Sequence, residues 1–341
     1  MQLVAFERHD RSDDRSPGRH EKGSMGAAAL GFEMLEAVRH GSRRIGAILP
    51  VGEHAGAVVD LNRALAVKLA AEDAGAPECE ADSLLPSDPL AFLQRLPLSL
   101  EAASAALAFA SEALARFDAP DLLGAGIAMA RREVRLAAPV QRPGKLIGVA
   151  PPSDPSRPPG LFLKAPSAIA GPEDEIRLPA GGMPLGFHGE LALVIGRRLR
   201  NATPDEALAA VAGYCVAISA HPFAEGAVTS TVGWSGDGFA PIGPALVTAD
   251  EIPNPHDLRL QTRLSGESVQ SAHTKELPLR LPELIAELSL SMSLAPGDVV
   301  LSGAPLGGRS RKAPRPLRDG DVIEVEVERV GRLAVYVRAG A

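Results

Sequence analysis

Polar and apolar positions alternate with period two from Val322 to Val327, inside "DGDVIEVEVERVGRLAVYVRAG", the pattern of a half-buried strand. In "GFHGELALVIG" the apolar run Leu191 to Ile195 predicts a buried strand entered through a polar edge at His188 and Glu190. Earlier, "MLEAVRHGSRRIGAILPVGEHAGAVVDL" gives short runs broken by His-Gly and Gly-Glu, which read as successive hairpins. Helical spacing follows in "LNRALAVKLAAEDAG", with a glycine stop, and again after Ser87-Asp88-Pro89, continuing through "SLEAASAALAFASEALARF". Beyond residue 135 short strands and turn signals dominate. Two helices are expected there: "TPDEALAAVAGY", with Thr203 as N-cap and Glu206 three residues on, and "LPELIAELSLSM".

These elements divide the chain into three parts. The stretch "ERHDRSDDRSPGRHEKGS" is charged and cannot offset the entropy of ordering, so residues 1–30 are expected to be a flexible extension. Residues 31–134 form a small mixed domain. The proline-rich "LAAPVQRPGKLIGVAPPSDPSRPPG", with a strand from Lys145 to Ala150, marks a junction, and residues 135–341 form a β-rich domain with helices on one side. The fold class is α+β.

Composition narrows the function. Of 341 residues, 35 are Lys or Arg and 42 are Asp or Glu, so at a net charge of -7 there is no basic surplus to neutralise a phosphate backbone. Nucleic acid is therefore not an expected partner. Two cysteines cannot build a disulfide framework, and Cys215 lies in an apolar run as a small hydrophobe, which suits a reducing cytoplasm. With no apolar run of about 18 residues, no membrane partner is expected either.

Residues two apart on a strand share a face. His188 and Glu190 at one strand's mouth could therefore be metal ligands, an acid and base pair, or ordinary edge residues.

Seven stretches, in order, resemble the fumarylacetoacetate hydrolase family: "APVQRPGKLIGVA", "LFLKAPSAIAGPEDEIRLP", "GELALVIGRRLRNATPDEALAAVAGY", "GFAPIGPALVTADEI", "SGESVQ", "LAPGDVVLSGAPLGG" and "LRDGDVIEVEVERVGRL". The resemblance implies a mixed β-sandwich roll in the C-terminal domain, a homodimer, and enzymes that cleave, decarboxylate, hydrate or isomerise small 2-oxo or 1,3-dicarbonyl acids. It also implies a magnesium or manganese ion held by three carboxylates, which stabilises an enolate.

At the site the sequence departs from that pattern. The family's Glu-x-Glu ligand pair reads His188-Gly189-Glu190, and the third ligand's position falls on Ser219. Trp234 stands where a catalytic lysine is expected, three residues before Asp237, and Pro151 to Pro155 replace the loop that would carry a His-Glu dyad. The turn that grips the substrate carboxylate reads Ser302-Gly303-Ala304-Pro305, while Lys164 matches a lysine near the pocket.

The reading that follows is an enzyme of this family with a remodelled site. It acts on a small carbonyl-rich substrate by enolisation-type acid-base chemistry, with His188 and Glu190 catalytic and Lys164, Ser219, Trp234, Asp237 and Ser302 binding substrate. No cofactor is expected in that reading. Alternatives are a conventional magnesium- or manganese-dependent acylpyruvate hydrolase or decarboxylase, in which Glu225 or Asp237 supplies a missing carboxylate; a two-histidine, one-carboxylate metal site of His188, Glu190 and His221; and an inactive binding or assembly protein.

Overall fold

The computed structural model describes residues 1–8, 43–50, 54–116, 126–150, 159–223, 231–307 and 315–340. The chain separates into two compact units, Met1–Leu136 and Ala137–Ala341.

In the first unit four strands lie in the order β4-β3-β2-β1, with β1 at Gln2–Arg8, β2 at Arg44–Ile48, β3 at Val58–Asp60 and β4 at Ala128–Met129. The start of the expected extension is thus structured. Leu3 to Phe6 are four consecutive buried apolar residues, enough to fix a strand against β2. The rest of that stretch, 9–30, lies outside the described residues. Strands β2 and β3 pair antiparallel as the sequence predicts.

Helix α1, Leu61–Ala71, starts at Asp60, whose carboxylate accepts from the Arg63 amide and pairs with Arg44 at 2.6 Å. Helices α2 (Pro77–Leu84), α3 (Pro89–Gln94) and α4 (Leu98–Arg116) follow, and Asp88 caps α3. By length and composition alone, Leu98–Ala115 is apolar enough to cross a membrane, although Glu101 and Glu112 interrupt it. Yet its buried residues, Ser99, Ala103, Ala106, Ala110 and Ala113, form one stripe at helical spacing, and α4 packs on α1. Strand β5, Val134–Ala137, closes the unit.

The second unit is built on two sheets. Its larger sheet runs β12-β11-β10-β15-β6-β7, with β6 at Leu146–Ala150, β7 at Gly160–Lys164, β10 at Leu185–Ile195, β11 at Val211–Pro222, β12 at Ala240–Thr248 and β15 at Val299–Leu301. Short β8, Ile169–Ala170, pairs parallel to β12. The second sheet runs β14-β13-β16-β17-β9, with β9 at Glu175–Arg177, β13 at Arg259–Leu264, β14 at Glu267–His273, β16 at Val322–Val327 and β17 at Gly331–Arg338.

Three helices complete the unit: α5 (Pro204–Leu208), α6 (Thr231–Trp234) and α7 (Leu281–Ser291). The Thr203–Glu206 capping box forms, but α5 is shorter than expected. Its predicted tail, Val211 to Tyr214, joins β11, where β-branched and aromatic residues gain strand partners on both sides.

The two sheets approach each other closely at Gly189. A Cβ there would lie 2.3 Å from Thr262 Oγ1 on β13 and 2.9 Å from a Val325 methyl on β16. Because strand faces alternate, the residues flanking Gly189, His188 and Glu190, turn to the other side, away from the second sheet.

Candidate active site

Register fixes what shares that side. Gly186 pairs with His221, His188 with Ser219 and Glu190 with Ala217 across β10 and β11. Residues directly opposite each other point the same way, so Glu190, His188, Ser219 and His221 occupy one face.

A fifth group arrives from the far side of the sheet. Four strand spacings separate β7 from β11, roughly 19 Å in a flat sheet. Yet Lys164 Nζ, at the end of β7, donates to Ala220 O at 3.0 Å and to Phe239 O at 3.2 Å. The sheet must therefore curl into a roll, with the Glu190 face inside.

Glu190 is enclosed, at 2% exposure. Its carboxylate accepts from the Gly303 amide at 2.9 Å and bonds the Ser219 side chain. Gly303 holds a φ of +77°, a conformation that side-chain-bearing residues rarely adopt, and this turn aims its N–H at the carboxylate. Burial pushes the Glu190 carboxyl up to about 7, against the opposing pull of the Lys164 charge and the two hydrogen bonds. Burial likewise pushes the Lys164 ammonium down to about 8, while Glu190 supports its charge.

Rings line one wall. Phe162 meets Trp234 at 4.6 Å between centroids, Trp234 stacks on His221 at 5.2 Å and 25°, and His221 meets His188 at 4.5 Å. Lys164 Nζ lies 6.0 Å from the Trp234 ring centroid. Sequence reasoning passed over Phe162, although it lies two residues before Lys164 and so shares its face on β7.

Two further expected site residues are placed as follows. Asp237 is exposed on the turn before β12, because the turn carries it outward while Phe239 two residues on is buried. Ser302 is fully buried, but its hydroxyl donates to Gly303 O at 2.8 Å and accepts from the Leu191 amide at 3.2 Å. That hydroxyl stitches the turn to β10 and has no hydrogen left for a substrate. Cys215 is buried and its thiol is pushed up by burial, which fits the small hydrophobe read from sequence. The loop 151–155 and Glu225 lie outside the described residues.

Among the described residues no group of three or more His, Cys, Asp or Glu is placed to hold an ion. His188 and His221 share the Glu190 face but lie ring on ring instead of converging, and Glu190 is engaged with Gly303 and Ser219. One carboxylate, a hydroxyl and imidazoles are a poor donor set for magnesium or manganese, which favour carboxylate and water oxygens.

The sequence profile described as "Fumarylacetoacetate (FAA) hydrolase C-terminal" matches residues 131–338. The chain belongs to the fumarylacetoacetate hydrolase family. Its β-rich fold, with two mixed sheets and few helices, is that of the family's solved structures.

The chain is 37% identical over 219 residues to "Oxaloacetate tautomerase FAHD2A, mitochondrial" of Bos taurus, covering 59% of this chain and 68% of that protein. It is 34% identical over 243 residues to the maleylpyruvate hydrolase of Aquipseudomonas alcaligenes, covering 65% of this chain and 79% of that one. Among solved structures, the maleylpyruvate hydrolase from Sphingobium sp. SYK-6, in complex with manganese(II) and pyruvate, superposes with a TM-score of 0.64 at 26% identity, covering 87% of this chain and 97% of that chain. These family relatives are named as enzymes acting on small carbonyl compounds.

Proposed function

We propose that this family member interconverts keto and enol forms of a small 2-oxo or 1,3-dicarbonyl acid by acid-base chemistry, without a resident divalent ion. The observation that carries this reading is Glu190: an enclosed carboxyl, held by Gly303 and Ser219, that burial brings to about 7 beside an enclosed Lys164. A carboxyl so poised gives and takes protons at neutral pH, where an ordinary glutamate is a weak base and almost never an acid.

The chemistry needs three things: a group to take a proton from the carbon beside a carbonyl, a group to supply one to the oxygen, and positive charge near the enolate. Glu190 supplies the proton to oxygen. Lys164 supplies the charge, since two of its three N–H groups are spent on Ala220 O and Phe239 O and the third remains for a ligand. An imidazole of the same face completes the pair, and Phe162 and Trp234 form the apolar wall against which the substrate's carbon skeleton rests. The names of the tautomerase and hydrolase relatives support this substrate class, because oxaloacetate and maleylpyruvate are both small 2-oxo acids.

The test is solvent exchange. Pyruvate, oxaloacetate and maleylpyruvate are incubated with chelator-treated protein in D2O, and loss of the protons beside the carbonyl is followed by NMR against a protein-free control. Exchange above the control, reduced at least 100-fold in Glu190→Gln, supports the reading. Equal rates for Glu190→Gln and wild type overturn it.

A conventional metal-dependent hydrolase is the second reading, favoured by the manganese and pyruvate in the 26% identical structure. It requires exchange or hydrolysis to vanish on chelation and return with manganese.

A further inference from the structure

We propose that Gln270 is a positioning residue for Glu190, holding in place the 303–307 turn whose Gly303 N–H bonds the carboxylate. Its effect on turnover rests on the keto-enol reading above, whereas its effect on the turn does not.

Gln270 ends "SGESVQ", one of the seven stretches that resemble the family. It lies on β14, at the edge of the second sheet, and is the one buried residue of that strand, at 7% exposure. It pairs with Thr262, which faces Gly189 between the sheets, so the Gln270 side chain points inward as well. An inward strand position ordinarily carries an apolar side chain, because a buried carboxamide without partners is costly. Here the two N–H groups find oxygens on the turn: Nε2 donates to Pro305 O at 2.9 Å and to Gly307 O at 3.4 Å.

The turn depends on such outside bonds. Gly303 and Gly307 leave the backbone permissive, and Pro305 has no N–H to give. At its start, Ser302 ties the chain to Leu191 of β10 through both its amide and its hydroxyl. At its end, the Leu306 amide donates to Glu276 O at 2.9 Å, and Gly307 lies so close to the Glu276 carboxylate that a Cβ would stand 2.7 Å from Oε2. Gln270 grips the carbonyls on either side of Leu306 and so clamps this far end. Between the two anchored ends sits Gly303, at a φ of +77°, with its N–H 2.9 Å from Glu190 Oε2. Releasing the far end frees Gly303 to rotate, and its N–H swings off the carboxylate. Gln270 thus acts on Glu190 through the backbone of the turn, as a support for a group that must be held before substrate binds.

Two measurements test this in Gln270→Met, which keeps the length of the side chain and removes both N–H groups. The first follows backbone amides by NMR without any substrate. The Gly303 amide is expected to shift upfield and to exchange its hydrogen at least tenfold faster than in wild type, while the Ile195 amide, bonded to Asp298 O at the other end of β10, keeps its wild-type protection. A general loss of stability would speed both amides alike. That result, or a Gly303 amide unchanged in the folded variant, overturns the proposal. Should Gln270→Met fail to fold, Gln270→Asn, which draws the carboxamide back by one methylene, is read in the same way. Failure of both to fold overturns the proposal, since the carboxamide would then hold the whole unit and not the turn.

The second measurement is solvent exchange of oxaloacetate. Misplacing a reacting group by a fraction of its reach is costly, so a loss of about 10-fold or more is expected in the folded variant. A rate within twofold of wild type overturns the positioning role and leaves the keto-enol reading intact. No exchange by wild type overturns the keto-enol reading instead, and the Gly303 amide then decides on Gln270.

Discussion

Lys164 Nζ donates to the carbonyl oxygen of Ala220 at 3.0 Å, across 56 residues of sequence and from the opposite end of one sheet. This contact places a buried cation in the space that holds Glu190. A carboxyl and an ammonium are thereby enclosed together, each pushed toward its neutral form by burial and each supporting the other's charge.

Replacing Lys164 by methionine removes both the charge and the donor to two buried carbonyls. The Phe239 carbonyl keeps the Ala220 amide as a donor, so what is lost is hydrogen bonding from a charged group, about 1.5–3 kcal/mol. The urea midpoint of Lys164→Met should fall accordingly. The Glu190 carboxyl, having lost the cation that pulls it down, should titrate above its wild-type value in a carbon-13 NMR titration. An unchanged or lowered value would contradict the coupling.

Stability should depend on pH through the same pair. The folded Glu190 holds its proton up to about 7, against an ordinary value of 4.5. Its contribution is complete below the unfolded value and is lost as pH rises from 4.5 to about 7. For Lys164, lowered from 10.5 to about 8, the contribution is present above 10.5 and is lost as pH falls toward about 8. Denaturation midpoints measured from pH 4.5 to 7 should decline in wild type and decline less in Glu190→Gln. Parallel profiles would contradict the raised carboxyl.

At Gly189 the two sheets approach so closely that no side chain fits between them. An alanine there forces Thr262 and Val325 apart from β10, since its Cβ would meet them at 2.3 Å and 2.9 Å. Overpacking of this kind costs about 1–3 kcal/mol. Gly189→Ala should lower the melting temperature, and a melting temperature equal to wild type would show that the sheets do not pack through this residue.

Strands and caps were legible because their signals are local. The apolar run Leu191 to Ile195 and the alternation from Val322 to Val327 sit in β10 and β16. The common face of His188, Glu190, Ser219 and His221 follows from period two once β10 and β11 are paired, and family resemblance pointed to the first three. The meeting of Lys164 with Ala220 was not legible, because it depends on how far the sheet curls. Nor was the seat of His221 over Gly186, which depends on register. The exposure of Asp237 and the backbone partners of the Ser302 hydroxyl were not legible, because sequence order gives a position on the chain but not the direction of a turn or the partner of a hydroxyl. At the N-terminus, the charged stretch masked the apolar Leu3 to Phe6 just before it.

Glu190, Lys164 and their neighbours are proposed to handle an enolate without a divalent ion. The most direct measurement is thermal melting of chelator-treated protein with oxalate, an enolate mimic, in the presence and absence of manganese. A ligand at about 100 times its dissociation constant adds about 2.7 kcal/mol to the folded state. A rise is expected with oxalate alone that manganese does not enlarge and that Lys164→Met abolishes. A rise that occurs only when manganese and oxalate are present together would contradict it.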